Sequence, residues 1–259
     1  MTLACANGLF AVGCQLKSRE RPVMGKKKLI RFKANKEFDR LFEPAALDLI
    51  EQDHELKGKW CEQFFNNDNE LLLELGCGRG EYTIGLARLN PDKNYIGVDI
   101  KGSRLFFGAT TIKEEQLNNA GLVRSQIELL PNIFAQEVSE IWITFPDPFP
   151  GRIRRRLTAP NFLNRYRKIL REDGNICLKT DDADLYEFTL DLARKNHLEV
   201  LDHTNDLYAS PIKDKMAPIQ TLYEERFIAA GKKICFLRFR LDRDVTPLKP
   251  KIKDLASLS

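Results

Sequence analysis

The sequence lacks an uninterrupted apolar run of the roughly 18–20 residues needed to cross a membrane. Its 259 residues include 3 histidines, and none of its 6 cysteines lies in a C-x-x-C pair. We therefore expect no membrane partner and no metal site. Unpaired cysteines are typical of a reducing compartment, and the first 16 residues lack the basic segment of a secretory signal. We expect a cytoplasmic protein.

The sequence also lacks a strong excess of charge of one sign, because 41 basic residues face 37 acidic ones. The basic residues nevertheless cluster in two places, over 26–33 and over 152–156. Such clusters are either solvated surface or sites that bind phosphates, even when the net charge is small.

Strand-like and helix-like segments alternate from about residue 70 to residue 241, for example 71–75, 82–89 and 95–100. This alternation predicts an α/β fold with a Rossmann-like, doubly wound, mostly parallel seven-stranded sheet and helices on both faces. The last strand, 234–241, is expected to be antiparallel, and its alternating apolar and basic residues are typical of an edge strand.

The chain divides into four predicted segments. Residues 1–23 are expected to be a disordered extension, or to precede a start at Met24. Residues 24–69 are expected to form an N-terminal helical segment that packs on the core. The α/β domain itself is expected over 70–241, and residues 242–259 form a tail.

A glycine-rich turn, ELGCGRG at 74–80, follows the first of these strands. Its spacing differs from the G-x-G-x-x-G of dinucleotide sites, because Glu81 stands where the third glycine is needed. The Glu74 carboxylate would repel a pyrophosphate and suits a cationic ligand, which favours S-adenosylmethionine over NAD. Asp99 ends the next strand, where sheets of this kind place an acid that binds the ribose hydroxyls.

The sequence FPDPF at 145–149 directly follows a strand-like run. Prolines cannot continue a strand ladder, so the strand must stop and Asp147 must lie in a stiff turn. Ligands of open α/β sheets bind beyond the carboxyl ends of the strands. Asp147 is therefore either a substrate-binding carboxylate or a turn-forming aspartate.

Two polar stretches lie further along the chain. Asp181 follows another strand, and Thr221 opens a helix in the sequence TLYEERF. Thr221 and Glu224 also fit a capping box, so a purely structural role is the alternative for this stretch.

Six stretches, in this order, resemble the bacterial tRNA (guanine-N7)-methyltransferase family, whose members modify guanine 46 of the tRNA variable loop. They are LLELGCGRGEY, YIGVDI, ITFPDPFP, RRRLTAPNFL, LKTDDADLY and IQTLYEERF. The resemblance implies that 70–241 is a methyltransferase domain, that S-adenosylmethionine is the methyl donor and that tRNA is the partner. The protein is expected to be a monomer or a homodimer.

The resemblance also assigns roles to individual positions. The residues expected to bind the methyl donor are Glu74, Gly76, Gly78 and Asp99. The active-site aspartate falls on Asp147. The residues expected to contact the substrate are Asp181, Thr221, Tyr223 and Glu224.

The sequence departs from the family pattern at two places. Gln126 stands near the usual position of an aspartate that helps to hold adenine, and its amide can still bind an exocyclic amine. A substrate-binding lysine is absent at Gly151, in a segment about two residues shorter than usual. Either Arg152 or Arg154 replaces that lysine, or the affinity for tRNA is weaker.

Two other functions stay open. The protein could methylate an exocyclic amine of a nucleic-acid base, although such enzymes often carry an (Asn/Asp)-Pro-Pro-aromatic turn instead of FPDPF. It could also be a catalytically weak homologue that binds tRNA. Because guanine N7 carries a lone pair and no proton, the favoured reaction needs no strong base. Asp147 is then expected to orient guanine or to stabilise the positive charge of the product.

Overall fold

The computed structural model describes residues 30–31, 33–216 and 219–247, without the side chains of 215–216 and 222–223. The predicted extension at 1–23, the lysines at 26–28 and the part of the predicted tail beyond residue 247 lie outside these ranges. Within them, no helix is both long enough and apolar enough to span a membrane.

Eight strands form one sheet. They are β1 (Leu41–Phe42), β2 (Glu70–Leu75), β3 (Lys93–Asp99), β4 (Ala120–Arg124), β5 (Val138–Thr144), β6 (Leu170–Thr180), β7 (Val200–Thr204) and β8 (Cys235–Arg240). The following α-helices of the described residues lie between the strands. They are α1 (Ala46–Glu51), α2 (Glu81–Leu89), α3 (Gly102–Glu114), α4 (Leu130–Ile133), α5 (Pro160–Tyr166), α6 (Ala183–Lys195), α7 (Lys213–Met216) and α8 (Leu222–Ala229).

The strand order is β1-β4-β3-β2-β5-β6-β8-β7. Neighbouring strands from β1 to β6 are parallel, and β8 is antiparallel to both β6 and β7. The predicted fold class is confirmed. Two details of the prediction are wrong, because the described sheet has eight strands and because β8 lies inside it, not at its edge.

The segment before β2 is less helical than predicted. Besides α1 it contains a 3-10 turn at Asn35–Glu37 and a π-helical turn at Trp60–Phe65. It also adds β1, which pairs with β4 and is the eighth strand of the sheet. Trp60 is fully buried, and its indole Nε1 donates to the carbonyl of Ile133 at 2.9 Å. The described part of the segment therefore packs on the core, partly as a strand.

The central strands are buried on both faces, which is why they read as continuous apolar runs. Along β2, Leu71, Leu73 and Leu75 belong to the core on one face, whereas Leu72 belongs to the core on the other. Glu74 alternates with these leucines and so points to the same face as Leu72. Because β2, β3, β5 and β6 are parallel, their carboxyl ends meet along one edge of the sheet.

Candidate active site

A cleft of about 1380 Å³ runs along the carboxyl ends of the parallel strands. Its walls include the glycine turn after β2, Asp99 at the end of β3, the 145–149 turn after β5 and Asp181 after β6. Small-ligand pockets usually enclose about 300–1000 Å³. The cleft is therefore large enough for a donor nucleoside together with a second ligand.

The glycine turn after β2 has left-handed backbone at three alternate positions, with φ of +75° at Gly76, +60° at Gly78 and +75° at Gly80. Glycine adopts this conformation without a steric penalty. The Gly78 amide donates to Asp99 Oδ2 at 2.9 Å, and the Lys101 amide donates to Asp99 Oδ1 at 2.7 Å. Asp99 thus holds the glycine turn against the start of α3 while it lines the cleft.

Glu74 lines the base of the cleft and is almost fully buried. Its Oε2 accepts hydrogen bonds from the amide and the hydroxyl of Thr83, and its Oε1 accepts from the Thr144 hydroxyl at 2.7 Å. Burial without a positive partner raises the pKa of Glu74 to about 7. A Cβ at Gly97, opposite Glu74 on β3, would lie 2.8 Å from Thr83 Oγ1, so a glycine there leaves room for this contact.

The raised pKa predicts how stability depends on pH. Between pH 4.5 and about 7 the folded protein holds a proton on Glu74 that the unfolded chain has released. Stability should therefore fall as pH rises through this window, by about 3 kcal/mol from this group. We expect the Glu74→Gln variant to lack this pH-dependent loss of stability. The difference in free energy of unfolding between the variant and the wild type should therefore shift by about 2–3 kcal/mol in favour of the variant between pH 5 and pH 8. Urea unfolding at several pH values measures this.

The matched control for this prediction is Glu70→Gln, since Glu70 lies at the other end of β2 and its pKa is lowered by Lys93. If the curves for wild type and Glu74→Gln stay parallel over the whole pH range, Glu74 does not carry the buried proton.

The 145–149 turn is held in a strained shape. Phe145 and Phe149, at its two ends, have φ of +47° and +44°, a conformation that costs a non-glycine residue about 1–2 kcal/mol. Two contacts fix the turn. The Phe145 amide donates to the carbonyl of Lys179 at 2.8 Å, and Arg156 Nε donates to the carbonyl of Pro148 at 2.8 Å. Strain that is held by its surroundings in this way is typical of functional sites.

Asp147 stands exposed at the centre of this turn and lines the cleft. Its carboxylate has no hydrogen-bond or ion-pair partner among the residues that the structure describes. Both oxygens are therefore free to bind a ligand, whereas those of Asp99 and Glu74 already accept hydrogen bonds from the protein.

The arginines of the 152–156 cluster differ in their exposure and in whether they line the cleft. Arg156 is buried, and its guanidinium carbon lies 4.7 Å from the centre of the Phe188 ring, so it serves the structure of the turn. Arg154 and Arg155 are exposed and line the cleft. Arg152 is also exposed but is not part of the cleft wall. Of the two candidates for replacing the family's lysine, Arg154 is the one beside the site.

The far wall of the cleft contains Asp181 and Thr221, but not Glu224. The Glu224 side chain is completely buried, with Oε1 at 2.7 Å from Lys179 Nζ and 2.8 Å from the Tyr208 hydroxyl, which donates to it. The Thr221 hydroxyl accepts from the Glu224 amide at 3.3 Å, which is the predicted cap. Glu224 was expected to contact the substrate, but its side chain lies in the core and does not line the cleft. The side chain of Tyr223 lies outside the described part.

The cleft wall contains one further predicted residue, Gln126, and several basic residues. Gln126, which was expected, is exposed in the wall beyond Asp99. Elsewhere in the wall, the guanidinium carbons of Arg31 and Arg79 lie 4.5 and 4.7 Å from the centre of the Phe107 ring. Arg31 belongs to the basic cluster over 26–33 that the sequence showed. The cations of the wall that the sequence did not single out are Arg79, Lys101, Arg104, Arg226 and Lys232. Carboxylates thus lie at the strand ends, and basic side chains surround them.

A mostly parallel sheet of this order, with a glycine turn and an acid at the end of the next strand, defines a Rossmann-like methyltransferase. A sequence model of a family described as "Putative methyltransferase" matches residues 68–237. A curated relative from Christiangramia forsetii is 48% identical over 220 residues, which are 83% of this chain and 98% of the relative. One from Bacteroides thetaiotaomicron is 43% identical over 233 residues, which are 89% and 92% of the two chains. Both are named tRNA (guanine-N(7)-)-methyltransferase, and this chain belongs to that family.

Solved structures agree with the fold. The 16S rRNA methyltransferase KamB has a TM-score of 0.55 at 16% identity, over 72% of this chain and 92% of that chain. An antibiotic-related methyltransferase has a TM-score of 0.54 at 18% identity, over 76% and 97% of the two chains. At these identities the likeness concerns the fold alone.

Proposed function

We propose that this protein transfers the methyl group of S-adenosylmethionine to N7 of guanine 46 in the variable loop of tRNA. The observation that carries the proposal is the free carboxylate of Asp147, held on a strained turn in the same cleft as Glu74 and Asp99. Membership of the tRNA (guanine-N7)-methyltransferase family supports the choice of nucleophile. Because tRNA is the substrate, we propose the cytoplasm as the site of the reaction.

The carboxylates at the strand ends fit S-adenosylmethionine, whose sulfonium and amino groups are positive. Glu74 would supply negative charge at the base of the cleft, since a nearby cation favours the ionised form of a carboxyl whose pKa is about 7. Asp99 would hold the ribose hydroxyls, while Gly76 and Gly78 let the backbone approach closely. Gln126 is placed to bind the adenine amine. When bound, the donor supplies an electrophilic methyl group.

The chain's own residues need only orient guanine and balance charge. Guanine N7 attacks with a lone pair, so no residue has to remove a proton. All three histidines lie in described residues, and none of them lines the cleft. As the imidazole ring of guanine becomes positive, the carboxylate of Asp147 is suited to stabilise it. Positioning of the two reactants then supplies much of the rate.

The basic side chains around the cleft suit the phosphates of tRNA. Arg154 and Arg155 lie on one side, and Arg31, Arg79 and Arg104 lie on the side of the glycine turn. Each phosphate that an arginine neutralises releases counterions, which makes the affinity depend on salt. A guanine engaged in tertiary contacts must also be extruded, which costs a few kcal/mol. Contacts to the backbone help to offset this.

We expect the double variant Arg154→Ala/Arg155→Ala to bind tRNA more weakly and to depend less on salt. If each arginine contacts one phosphate, the slope of log Kd against log salt concentration should fall by about two. Filter binding or fluorescence anisotropy between 50 and 300 mM salt, as an approximate range, measures the slope.

The matched control for these arginines is Arg194→Ala/Lys195→Ala, which removes the same charge from the exposed end of α6, away from the cleft. Arg156 is left in place because it supports the 145–149 turn. An unchanged slope in Arg154→Ala/Arg155→Ala would remove these two residues from the tRNA contact.

The proposed function is tested by incubating the protein with methyl-labelled S-adenosylmethionine and bulk tRNA and then analysing the nucleosides. Label in 7-methylguanosine, mapped to position 46, is the expected result. Label on an exocyclic amine would instead support the alternative methyltransferase activity. Binding of tRNA without any transfer of label would support the catalytically weak homologue.

A further inference from the structure

A lysine that the family resemblance did not assign lies on the substrate side of the cleft. The Lys232 ammonium pairs with the Asp181 carboxylate and lies 4.7 Å from the centre of the Phe227 ring. The Phe227 ring in turn lies 5.6 Å from the ring of Phe145, at the start of the turn that carries Asp147. All of these residues line the cleft. Lys232 therefore belongs to the wall that a base beside Asp147 would face.

The fold fixes the backbone of Lys232. Helix α8 ends at Ala229 and is followed by Gly231, whose φ is +74° and whose amide donates to the carbonyl of Ile228 at 2.9 Å. The next amide, of Lys232 itself, donates to the carbonyl of Phe227 at 3.0 Å. These two bonds form a Schellman motif, which sets the position of the residue after the glycine.

Asp181 is equally well placed by the fold. It lies between Thr180, the buried last residue of β6, and Asp182, whose Oδ1 accepts from the Leu185 amide at 2.7 Å as the cap of α6. The carboxylate and the ammonium thus meet from two rigid elements, across 51 positions of the chain.

The Lys232 ammonium keeps donors available for a ligand. It has three N–H groups, and Asp181 is its one hydrogen-bond acceptor among the described residues. The Lys232 side chain is 50% exposed although it has both an ionic and an aromatic neighbour. The ammonium can therefore be reached by a ligand in the cleft.

An adjacent carboxylate and ammonium match the edge of guanine. That edge presents donors at the 2-amino group and at N1 and an acceptor at O6, which is next to N7. We propose that Lys232 is a specificity-determining residue, whose ammonium donates to O6 of the target guanine while Asp181 accepts from N1 and the 2-amino group. Adenine presents an amine in place of O6 and an acceptor at N1, so the pair repels it. The proposal rests on the proposed function.

The pairing of Lys232 with Asp181 makes a contact between Lys232 and O6 compatible with methylation of N7. A lone ammonium at O6 would oppose the positive charge that N7 methylation places on the ring. The ion pair is neutral as a whole, so it reads O6 without a net repulsion.

The test compares tRNA substrates that carry guanine, 6-thioguanine or hypoxanthine at the target position. Sulfur is a weak acceptor, so 6-thioguanine weakens the contact with Lys232, whereas hypoxanthine lacks the 2-amino group that Asp181 binds. For the wild type we expect kcat/KM to fall about tenfold with each analogue. Lys232→Met keeps an apolar stem on Phe227. We expect this variant to lose about tenfold on guanine, to lose its discrimination against 6-thioguanine and to keep it against hypoxanthine.

The matched control is Lys233→Met. Lys233 is 70% exposed, pairs with Asp206 and does not line the cleft, so this variant should behave like the wild type with all three substrates. An unchanged ratio between guanine and 6-thioguanine in Lys232→Met would overturn the assignment of Lys232. A wild type that methylates no tRNA guanine would overturn the proposed function and this assignment together.

The exchanged pair Asp181→Lys/Lys232→Asp gives a second readout. It retains the attraction between the two side chains but reverses the pattern that faces the base. We expect the exchanged pair to have no methyltransferase activity on guanine, while its affinity for the methyl donor is unchanged. Recovery of guanine methylation in the exchanged pair would show that the ion pair is only structural and would overturn the proposal.

Discussion

Replacing Asp147 by alanine should lower kcat about 100- to 1000-fold, the range seen when one fixed electrostatic contact to a transition state is removed. The donor Kd should stay within about twofold, because Asp147 lies on the turn after β5 whereas the donor is proposed to be held by Glu74 and Asp99. Single-turnover kinetics with labelled donor, together with calorimetric titration of the donor, separate the two quantities.

The control for Asp147→Ala is Asp92→Ala, because Asp92 is also an exposed aspartate directly after a proline but lies before β3, at the opposite edge of the sheet. Asp147→Asn shows whether charge or hydrogen bonding matters more. If Asp147→Ala abolished donor binding and left the rate of the remaining bound enzyme intact, Asp147 would belong to the donor site.

Replacing Lys179 by methionine should lower the free energy of unfolding by about 3–5 kcal/mol, because it leaves the Glu224 carboxylate buried without its ion-pair partner. Both side chains have no exposed surface, and Oε2 of Glu224 has no hydrogen-bond partner among the described residues. Burial lowers the pKa of Lys179, and Glu224 opposes that effect. Urea unfolding at pH 7 measures the loss.

The double variant Lys179→Met/Glu224→Leu distinguishes a structural pair from a substrate contact. An apolar pair of similar volume should recover much of the lost stability. If the pair only anchors α8, the double variant should also keep the wild-type KM for tRNA within about threefold. A large rise in KM in a stable double variant would show that Glu224 contributes to binding of the substrate.

Much of the fold could be predicted because parallel strands buried on both faces have unmistakable apolar runs, as in 71–75 and 95–98. The position of β8 could not. Its arginines suggested a solvent-facing edge, yet Arg238 pairs with Asp202 and Arg240 with Glu199, on or beside β7. Basic residues are therefore tolerated inside the sheet, because the neighbouring strand supplies their counterions.

The N-terminal segment was predicted less well because its elements are short. A helical segment was expected over 24–69, but Gly58 and Asn66 adopt positive φ and interrupt it. Strand β1 has two residues, Leu41 and Phe42, and takes its shape from pairing with β4 rather than from a pattern of its own.

In the site, sequence reasoning located the carboxylates at or just beyond strand ends, namely Glu74, Asp99, Asp147 and Asp181, because parallel strands end at a common edge. It could not locate Lys232, whose partner lies 51 positions away and whose role depends on the turn after α8. It also could not tell that Glu224 is buried, since a capping sequence looks the same whether its glutamate faces solvent or the core.

The insertion of β8 between β6 and β7 has a consequence for synthesis on the ribosome. Strands β2 to β5, with the glycine turn and Asp99, are complete long before residues 235–240 emerge. In the described sheet β7 pairs with β8 alone, so the nascent chain carries an unpaired strand and an open edge on β6 until β8 arrives. Open edges favour aggregation. A nascent chain can thus assemble its donor half first, while the wall that reads the base is finished last.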